Sequence, residues 1–124
     1  MQNEMTPTQI IRADAIERGM DPDALLISLR KHLQSKVAVM LKKNNSVLIL
    51  KELGDHTVEL HLFTEDAPLT LARSIKYFVD KIKTSDIEAV YGKADSPQIV
   101  EMLRRLDVPV EDSDRPQFNW MARV

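Results

Sequence analysis

The fold is decided by one stretch of the chain, residues 56–91, which reads HTVELHLFTEDAPLTLARSIKYFVDKIKTSDIEAVY. Apolar and polar residues alternate from Val58 to Phe63, which is the pattern of a strand with one buried face. Pro68 then suits the first turn of a helix, and the apolar stripe of that helix runs from Leu71 to Ile82. A second strand follows at Ile87–Tyr91. This order predicts a parallel strand pair joined by a crossover helix.

Two further strands and two helices are predicted on the N-terminal side of this unit. Val37–Leu41 and Val47–Leu50 are β-rich runs joined by an asparagine-rich turn, so they extend the strand at 56–63 into an antiparallel meander. Two short helices come before the meander, because Thr6 and Asp21 each stand as a cap in front of a proline.

The C-terminal third predicts one more helix and two short strands. Ser96 stands as a cap before Pro97, and apolar residues at helical spacing follow as far as Leu106. Val108–Val110 and Phe118–Val124 are the predicted strands, separated by a polar loop. The complete order predicts an α/β fold with a mixed, mostly antiparallel sheet that is flanked by helices and preceded by two N-terminal helices.

Length and composition indicate one small domain. The chain has 124 residues, 44% of them hydrophobic, and we expect a single domain over 1–124 with a helical pair at 1–35 and a core at 36–124. The formal net charge of -2 argues against nucleic acid as a partner, and no apolar run approaches the roughly 20 residues of a membrane span. The absence of cysteine excludes disulfides, Cys-ligated zinc and thiol nucleophiles, and favours a cytoplasmic location.

The predicted order of elements resembles the GNAT acetyltransferase fold over residues 37–124. The local match lies in the fourth helix, where the family often reads Asn-Pro-Arg-Ala-Ile-x-Leu-Tyr-x-Lys-Leu-Gly-Phe and this chain reads SPQIVEMLRRLDV from Ser96 to Val108. The cadence is kept but the marker residues are not. Ser96 replaces the asparagine, Leu103 replaces the tyrosine that often acts as general acid, and Asp107 replaces the glycine.

A second family landmark, the turn before the third helix, is also altered. The resemblance places a glycine-rich signature there that holds the pyrophosphate of acetyl-CoA on backbone N–H groups. The corresponding residues, Thr64–Thr70, contain no glycine, and Pro68 removes one N–H donor. Glu65 and Asp66 would repel the phosphates, and we interpret them as a cap and a match to the helix dipole.

These departures favour a non-enzymatic structural or protein-interaction role, with no cofactor and no catalytic residues. The pattern also resembles small GNAT-like proteins of tailed bacteriophages, so the partner is expected to be a virion component or a host protein, in the host cytoplasm or the virion. An alternative is a divergent N-acetyltransferase that uses acetyl-CoA, and a third possibility is a small inhibitor or adaptor of a host protein. Fold alone does not decide among them.

Under the acetyltransferase alternative, the resemblance implies a set of site residues. The catalytic residues would be Glu59, Tyr91 and Ser96. Contacts to the cofactor would come from Phe63, Thr64, Leu69, Thr70 and Leu71. Each catalytic candidate also has a structural interpretation. Glu59 would be a solvated strand residue, Tyr91 a half-buried strand aromatic and Ser96 a helix cap.

The remaining candidates concern metals and partners. His56 and His61 are five residues apart, so they share neither a strand face nor a helix turn, and no metal site is expected. The two N-terminal helices carry more apolar residues than one sheet edge needs, so part of their surface is expected to bind a partner. The partner-binding candidates are Ile10, Ile11, Ile16, Leu25 and Leu29.

Overall fold

Two capped helices begin the part of the chain that the computed structural model describes, which comprises residues 4–93 and 97–124. Helix α1 spans Pro7–Glu17, and α2 spans Pro22–Gln34. The Thr6 hydroxyl accepts a hydrogen bond from the N–H of Gln9, whose side chain accepts one from the N–H of Thr6. Asp21 caps α2 in the predicted way, by accepting from two N–H groups of the first turn.

The remaining elements form one six-stranded sheet with two more helices. Strands β1 (Ala38–Lys43), β2 (Ser46–Gly54) and β3 (Thr57–Thr64) are followed by α3 (Pro68–Lys83), β4 (Ala89–Gly92), α4 (Pro97–Arg105), β5 (Val110–Asp112) and β6 (Trp120–Arg123). The strand order is β1-β2-β3-β4-β6-β5. Strands β1 to β3 form the antiparallel meander, and β4 pairs with β3 in parallel, so both predictions are confirmed.

Three predicted strand starts are corrected, and the first is that of β4, which begins at Ala89 and not at Ile87. The N–H of Val108 donates to the carbonyl of Leu103 and so helps to close the end of α4, which is why β5 begins only at Val110. The N–H of Phe118 donates to the carbonyl of Arg115 in a turn, and β6 therefore begins at Trp120. Local bonds to a helix end and a turn take precedence over β propensity at the latter two positions.

The sheet has an apolar layer on each face, as the alternation in β3 predicts. Val58 and Leu62 face the cluster under α3 and α4, while Phe63 packs with α1 and α2 on the opposite face. A third cluster continues that opposite face toward β6 and contains Tyr91 and Phe118, whose ring centroids are 5.5 Å apart. The gap between the second and third clusters is the part of the sheet where ionisable side chains lie.

Candidate functional site

The pairing of the parallel strands β3 and β4 ends in the middle of the sheet. Their pairing extends only from Thr57 with Ala89 to Glu59 with Tyr91, whereas β3 itself continues to Thr64. The second half of β3 therefore has β2 on one side and, on the other, backbone groups that need partners other than β4.

Two side chains of α1 bond to this part of β3. Arg18 Nη2 donates to the carbonyl of Leu62 at 3.2 Å, and Asp14 Oδ2 accepts from the N–H of Thr64 at 2.8 Å. Arg18 and Asp14 also form an ion pair, with 2.6 Å between Nε and Oδ1. The residue Asp14 is only 4% exposed, and burial raises the pKa of its carboxyl although Thr64 and Arg18 act in the opposite direction. The buried carboxylate of Asp14 and the partly exposed guanidinium of Arg18 thus attach α1 to the open side of β3.

A second acidic residue faces α1 from the far end of β3. Burial raises the pKa of Glu65, and the neighbouring carboxyls of Glu17 and Asp14 raise it further. The carboxyls of Glu65, Glu17 and Asp14 therefore lie close together between α1 and the start of α3. Sequence patterns did not mark Asp14 and Arg18 as site residues, because their partners on β3 lie 50 and 44 residues away.

Asp66 holds the β1–β2 turn against α3, and the prediction that Glu65 and Asp66 cap α3 is wrong. The N-cap is Ala67, which makes no side-chain cap bond. Asp66 instead accepts hydrogen bonds from the N–H of Asn45 and from the hydroxyls of Ser46 and Ser74. Both carboxylate oxygens are committed to this network, which joins the turn to the first helical turns.

The five cofactor-contact candidates lie close together in the chain but differ in what they offer. Phe63 and Leu71 are buried in apolar clusters on opposite faces of the sheet. The N–H of Thr64 is bonded to Asp14, and its hydroxyl contacts Ser46. The remaining two candidates lie at the start of α3. The side chain of Leu69 is mostly exposed, and that of Thr70 is half-buried.

Glu59 and His61 form an ionisable pair on one sheet face. They lie between the apolar cluster under α1 and α2 and the cluster that continues toward β6. Glu59 Oε1 lies 3.1 Å from His61 Nε2, and the Glu59 side chain is 12% exposed, so the solvated-strand interpretation is wrong. Burial lowers the pKa of His61, with Lys93 and Lys51 acting in the same direction and the Glu59 charge opposing them. A neutral imidazole that donates from Nε2 to Glu59 keeps Nδ1 as a proton acceptor.

Tyr91 is held by the loop between β5 and β6. Its hydroxyl donates to Asp114 Oδ1 at 2.8 Å, and the Arg115 guanidinium lies 4.5 Å from its ring centroid. The hydrogen bond to Asp114 raises the pKa of Tyr91 most, with burial adding to the effect. Tyr91 is buried on the strand next to Glu59, whereas Ser96, the third catalytic candidate, lies outside the described residues.

The structure corrects most of the partner-binding prediction. Ile10, Ile11 and Leu29 are buried in the cluster between the two helices and the sheet, so they are not available to a partner. Leu25 is partly buried against the same cluster. Ile16 alone of the five is well exposed, at 61%. Most apolar side chains of α1 and α2 are buried because the two helices cover β2 and β3.

Three negative findings complete the description of these residues. Within residues 4–93 and 97–124, no group of three potential metal ligands comes together. Leu103, in the position of the family's general acid, is buried under the sheet and provides no proton donor. Of the helices in these same ranges, none has the length and apolar character needed to cross a membrane.

Solved acetyltransferases share the fold. An acetyltransferase from Bacillus subtilis in complex with CoA superposes with a TM-score of 0.53 at 12% identity, over 98% of this chain and 92% of that chain. The ribosomal-protein-S18-alanine N-acetyltransferase of Escherichia coli gives 0.53 at 11% identity, over 98% and 88% of the two chains. A spermidine N-acetyltransferase of Vibrio cholerae gives 0.51 at 14%, over 83% and 73%.

The chain thus has a GNAT-like fold, as the order of its predicted elements suggests. No family model and no curated protein matches its sequence. At identities of 11% to 14%, the likeness concerns the fold alone.

Proposed function

We propose that this chain uses the acetyltransferase fold as a non-catalytic scaffold that binds another protein. The observation that carries the proposal is the bonding of Asp14 and Arg18 to β3. The resemblance assigns the cofactor to Thr64 and the following turn, and in this chain Asp14 already accepts from the Thr64 N–H.

The charges and hydrogen bonds at this turn argue against CoA as a ligand. Its phosphates require N–H donors and a positive or neutral surrounding. The turn here presents Glu65 and a prolyl residue, Pro68, and the buried carboxyl of Asp14, which lies on α1, already accepts from Thr64 at the start of the turn. Unpaired carboxylates near a diphosphate weaken binding through like-charge repulsion, and each missing charge-assisted hydrogen bond removes about 1.5–3 kcal/mol.

Exposed apolar side chains support a protein as the partner. Leu69 is 80% exposed at the start of α3, and Ile16 and Ile27 are exposed on the two N-terminal helices. Such side chains contribute favourably when a partner covers them. We propose the same partner classes that the sequence suggested, a virion component or a host protein, the latter including an inhibitor or adaptor role.

Calorimetric titration of the full chain with acetyl-CoA tests the non-catalytic proposal. The Bacillus subtilis acetyltransferase, which was solved in complex with CoA, is the positive control. We expect no saturable heat up to about 1 mM ligand, which corresponds to a binding free energy weaker than about -4 kcal/mol. Binding with a micromolar dissociation constant would overturn the proposal.

A second candidate function, acetyl transfer to an amine, is supported by the Glu59–His61 pair. A neutral His61 oriented by Glu59 can accept a proton from an amine nucleophile. Two structural neighbours are a spermidine N-acetyltransferase and a ribosomal-protein-S18-alanine N-acetyltransferase, so spermidine and an alanine peptide are the acceptors to test.

A thiol-release assay separates the two candidates. Since the chain has no cysteine, a thiol reagent reports only released CoA. Acetyl transfer predicts turnover that falls about 100-fold or more in His61→Ala and is unchanged in His32→Ala, whose histidine lies on α2. Turnover at the buffer rate, together with absence of acetyl-CoA binding, leaves the non-catalytic proposal standing.

A further inference from the structure

The first half of the edge strand β1, up to Met40, has the composition of a central strand, whereas Lys42 and Lys43 protect its second half. Val37, just before β1, and Val39 on it are 37% and 56% exposed, and Met40, which points to the opposite face, is 40% exposed. Exposed edge strands are normally protected by charges, prolines or bulges, whereas strands that are apolar on both faces are normally covered on both sides. The first half of β1 is therefore suited to pair with a further strand.

The backbone of β1 offers the matching hydrogen-bond groups. The N–H of Glu52 donates to the carbonyl of Val37 at 2.7 Å, which places Val37 and alternate residues after it on the β2 side. Ala38, Met40 and Lys42 consequently direct their N–H and carbonyl groups away from β2. No other strand in the described part of the chain pairs with β1.

The two halves of β1 differ on the face that carries α3. Beside the first half lies a groove of about 640 Å³, with Val37 and Val39 on its floor. Its lining includes the carboxylates of Glu52, Asp55 and Asp86 together with Lys36 and His56, so the carboxylates outnumber the one lysine. The first half of β1 is therefore open, and its surroundings are acidic.

The second half of β1 is covered, and its surroundings are basic. Leu41 packs against the cluster under α3, and Lys43 Nζ lies 5.1 Å from the ring centroid of Tyr77 on α3. Lys81 Nζ, also on α3, lies 5.5 Å from the same ring. The first half of β1 is thus open with acidic surroundings, and the second half is covered with basic surroundings.

We propose that β1 pairs in antiparallel orientation with β1 of a second copy of this chain, about a two-fold axis at Met40. In this register Met40 faces its own copy, Ala38 faces Lys42 of the second copy, and Val39 faces Leu41 of the second copy. The groups that point away from β2 then bond to each other, and the sheet continues across the dimer.

The antiparallel arrangement brings unlike halves together. The covered half of one copy lies next to the open half of the other, so the α3 side of one copy faces the groove of its neighbour. Lys43 of the second copy comes to lie opposite Val37, whose neighbour on the other side, in β2, is Glu52. Basic and acidic rims therefore oppose each other, which favours a second copy over an unrelated acidic or uncharged strand.

Sedimentation equilibrium of the full chain between about 1 and 500 μM tests this proposal. We expect a monomer–dimer equilibrium that Met40→Lys and Met40→Glu each shift at least 10-fold toward monomer, because like charges would then face each other on the axis. An equimolar mixture of the two variants should restore the dimer. Met20→Lys, which changes an equally exposed methionine between α1 and α2, is the matched control and should dimerise as the unmodified chain does.

A single introduced thiol tests the register independently. The chain has no cysteine, so Met40→Cys contains one thiol, located on the axis. Facing Cα atoms in an antiparallel pair are about 5.5 Å apart, within the range of a disulfide. Mild oxidation should convert Met40→Cys to a covalent dimer and leave Met20→Cys without the cross-link. A chain that is monomeric throughout, or a dimer that survives both charge variants, overturns the proposal.

Discussion

Asp14 on α1 accepts a hydrogen bond from the backbone N–H of Thr64, 50 residues later in the chain, at 2.8 Å. We expect Asp14→Ala to lower the free energy of unfolding by about 1–3 kcal/mol, because it leaves a buried N–H without its acceptor and the Arg18 guanidinium without its ion pair. Urea unfolding followed by circular dichroism measures the change. Asp23→Ala is the control, since its exposed ion pair with Arg12 should contribute less than about 1 kcal/mol. Equal losses in the two variants would contradict the buried bond.

The raised pKa of Glu65 predicts a stability that depends on pH. A carboxyl whose pKa is higher in the folded state binds more protons when folded, so its contribution is present at low pH and is lost as the pH rises through that pKa. Glu65→Gln should therefore be close to neutral near about pH 4 and stabilising near about pH 8. Unfolding measured at both pH values checks the sign.

Glu101→Gln is the matched control for this effect. Glu101 forms an exposed ion pair with Arg105 on α4, away from the carboxyl cluster. Its substitution should not become more stabilising with rising pH. If Glu65→Gln behaves in the same way as Glu101→Gln, the carboxyls of Glu65 and Glu17 do not interact in solution.

The fold was readable from the sequence because its signals are local. The alternation from Val58 to Phe63, the stripe from Leu71 to Ile82 and the apolar run ending at Tyr91 each fix one element, and their order fixes the parallel pair. Strand starts were less accurate at Val108 and Phe118, where bonds to a helix end and a turn decide the outcome.

The site was only partly readable. Alternation placed Glu59 and His61 on one face of β3, but their burial depends on the clusters to either side, which no local pattern encodes. The bond from Asp14 to Thr64 depends on how α1 crosses the sheet. For Asp66, a position before a helix suggested a cap, yet the hydroxyls of Ser46 and Ser74, brought in by β2 and α3, compete for its carboxylate.

Gly92 is required by the neighbouring Trp120 and not by its backbone conformation. The two residues face each other across β4 and β6, and a Cβ at Gly92 would overlap the indole ring. Gly92→Ala should lower stability by about 1–3 kcal/mol, since the tryptophan is buried and its indole nitrogen donates to the carbonyl of Lys93.

A double-mutant cycle with Trp120→Leu isolates this contact. In the smaller Leu background the added methyl group has room, so Gly92→Ala should be less destabilising there than in the unmodified chain. Thermal or urea unfolding of the four proteins gives the coupling free energy. Additive effects would mean that the glycine serves another purpose.

The pair of His61 and Glu59 predicts two opposite shifts in one titration. Burial holds the pKa of His61 below 6.5, the charge of Glu59 raises it and the charge of Lys51 lowers it. Glu59→Gln should therefore lower the pKa of His61 further, and Lys51→Met should raise it. NMR titration of the imidazole resonances measures both, with Glu88→Gln as a control at an exposed carboxylate. Because the folded state binds this proton less well than the unfolded state, His61 should also make the protein less stable as the pH falls below about 6.5. A His61 pKa that is unchanged by Glu59→Gln would show that the two side chains are apart in solution, and would remove the oriented proton acceptor on which acetyl transfer depends.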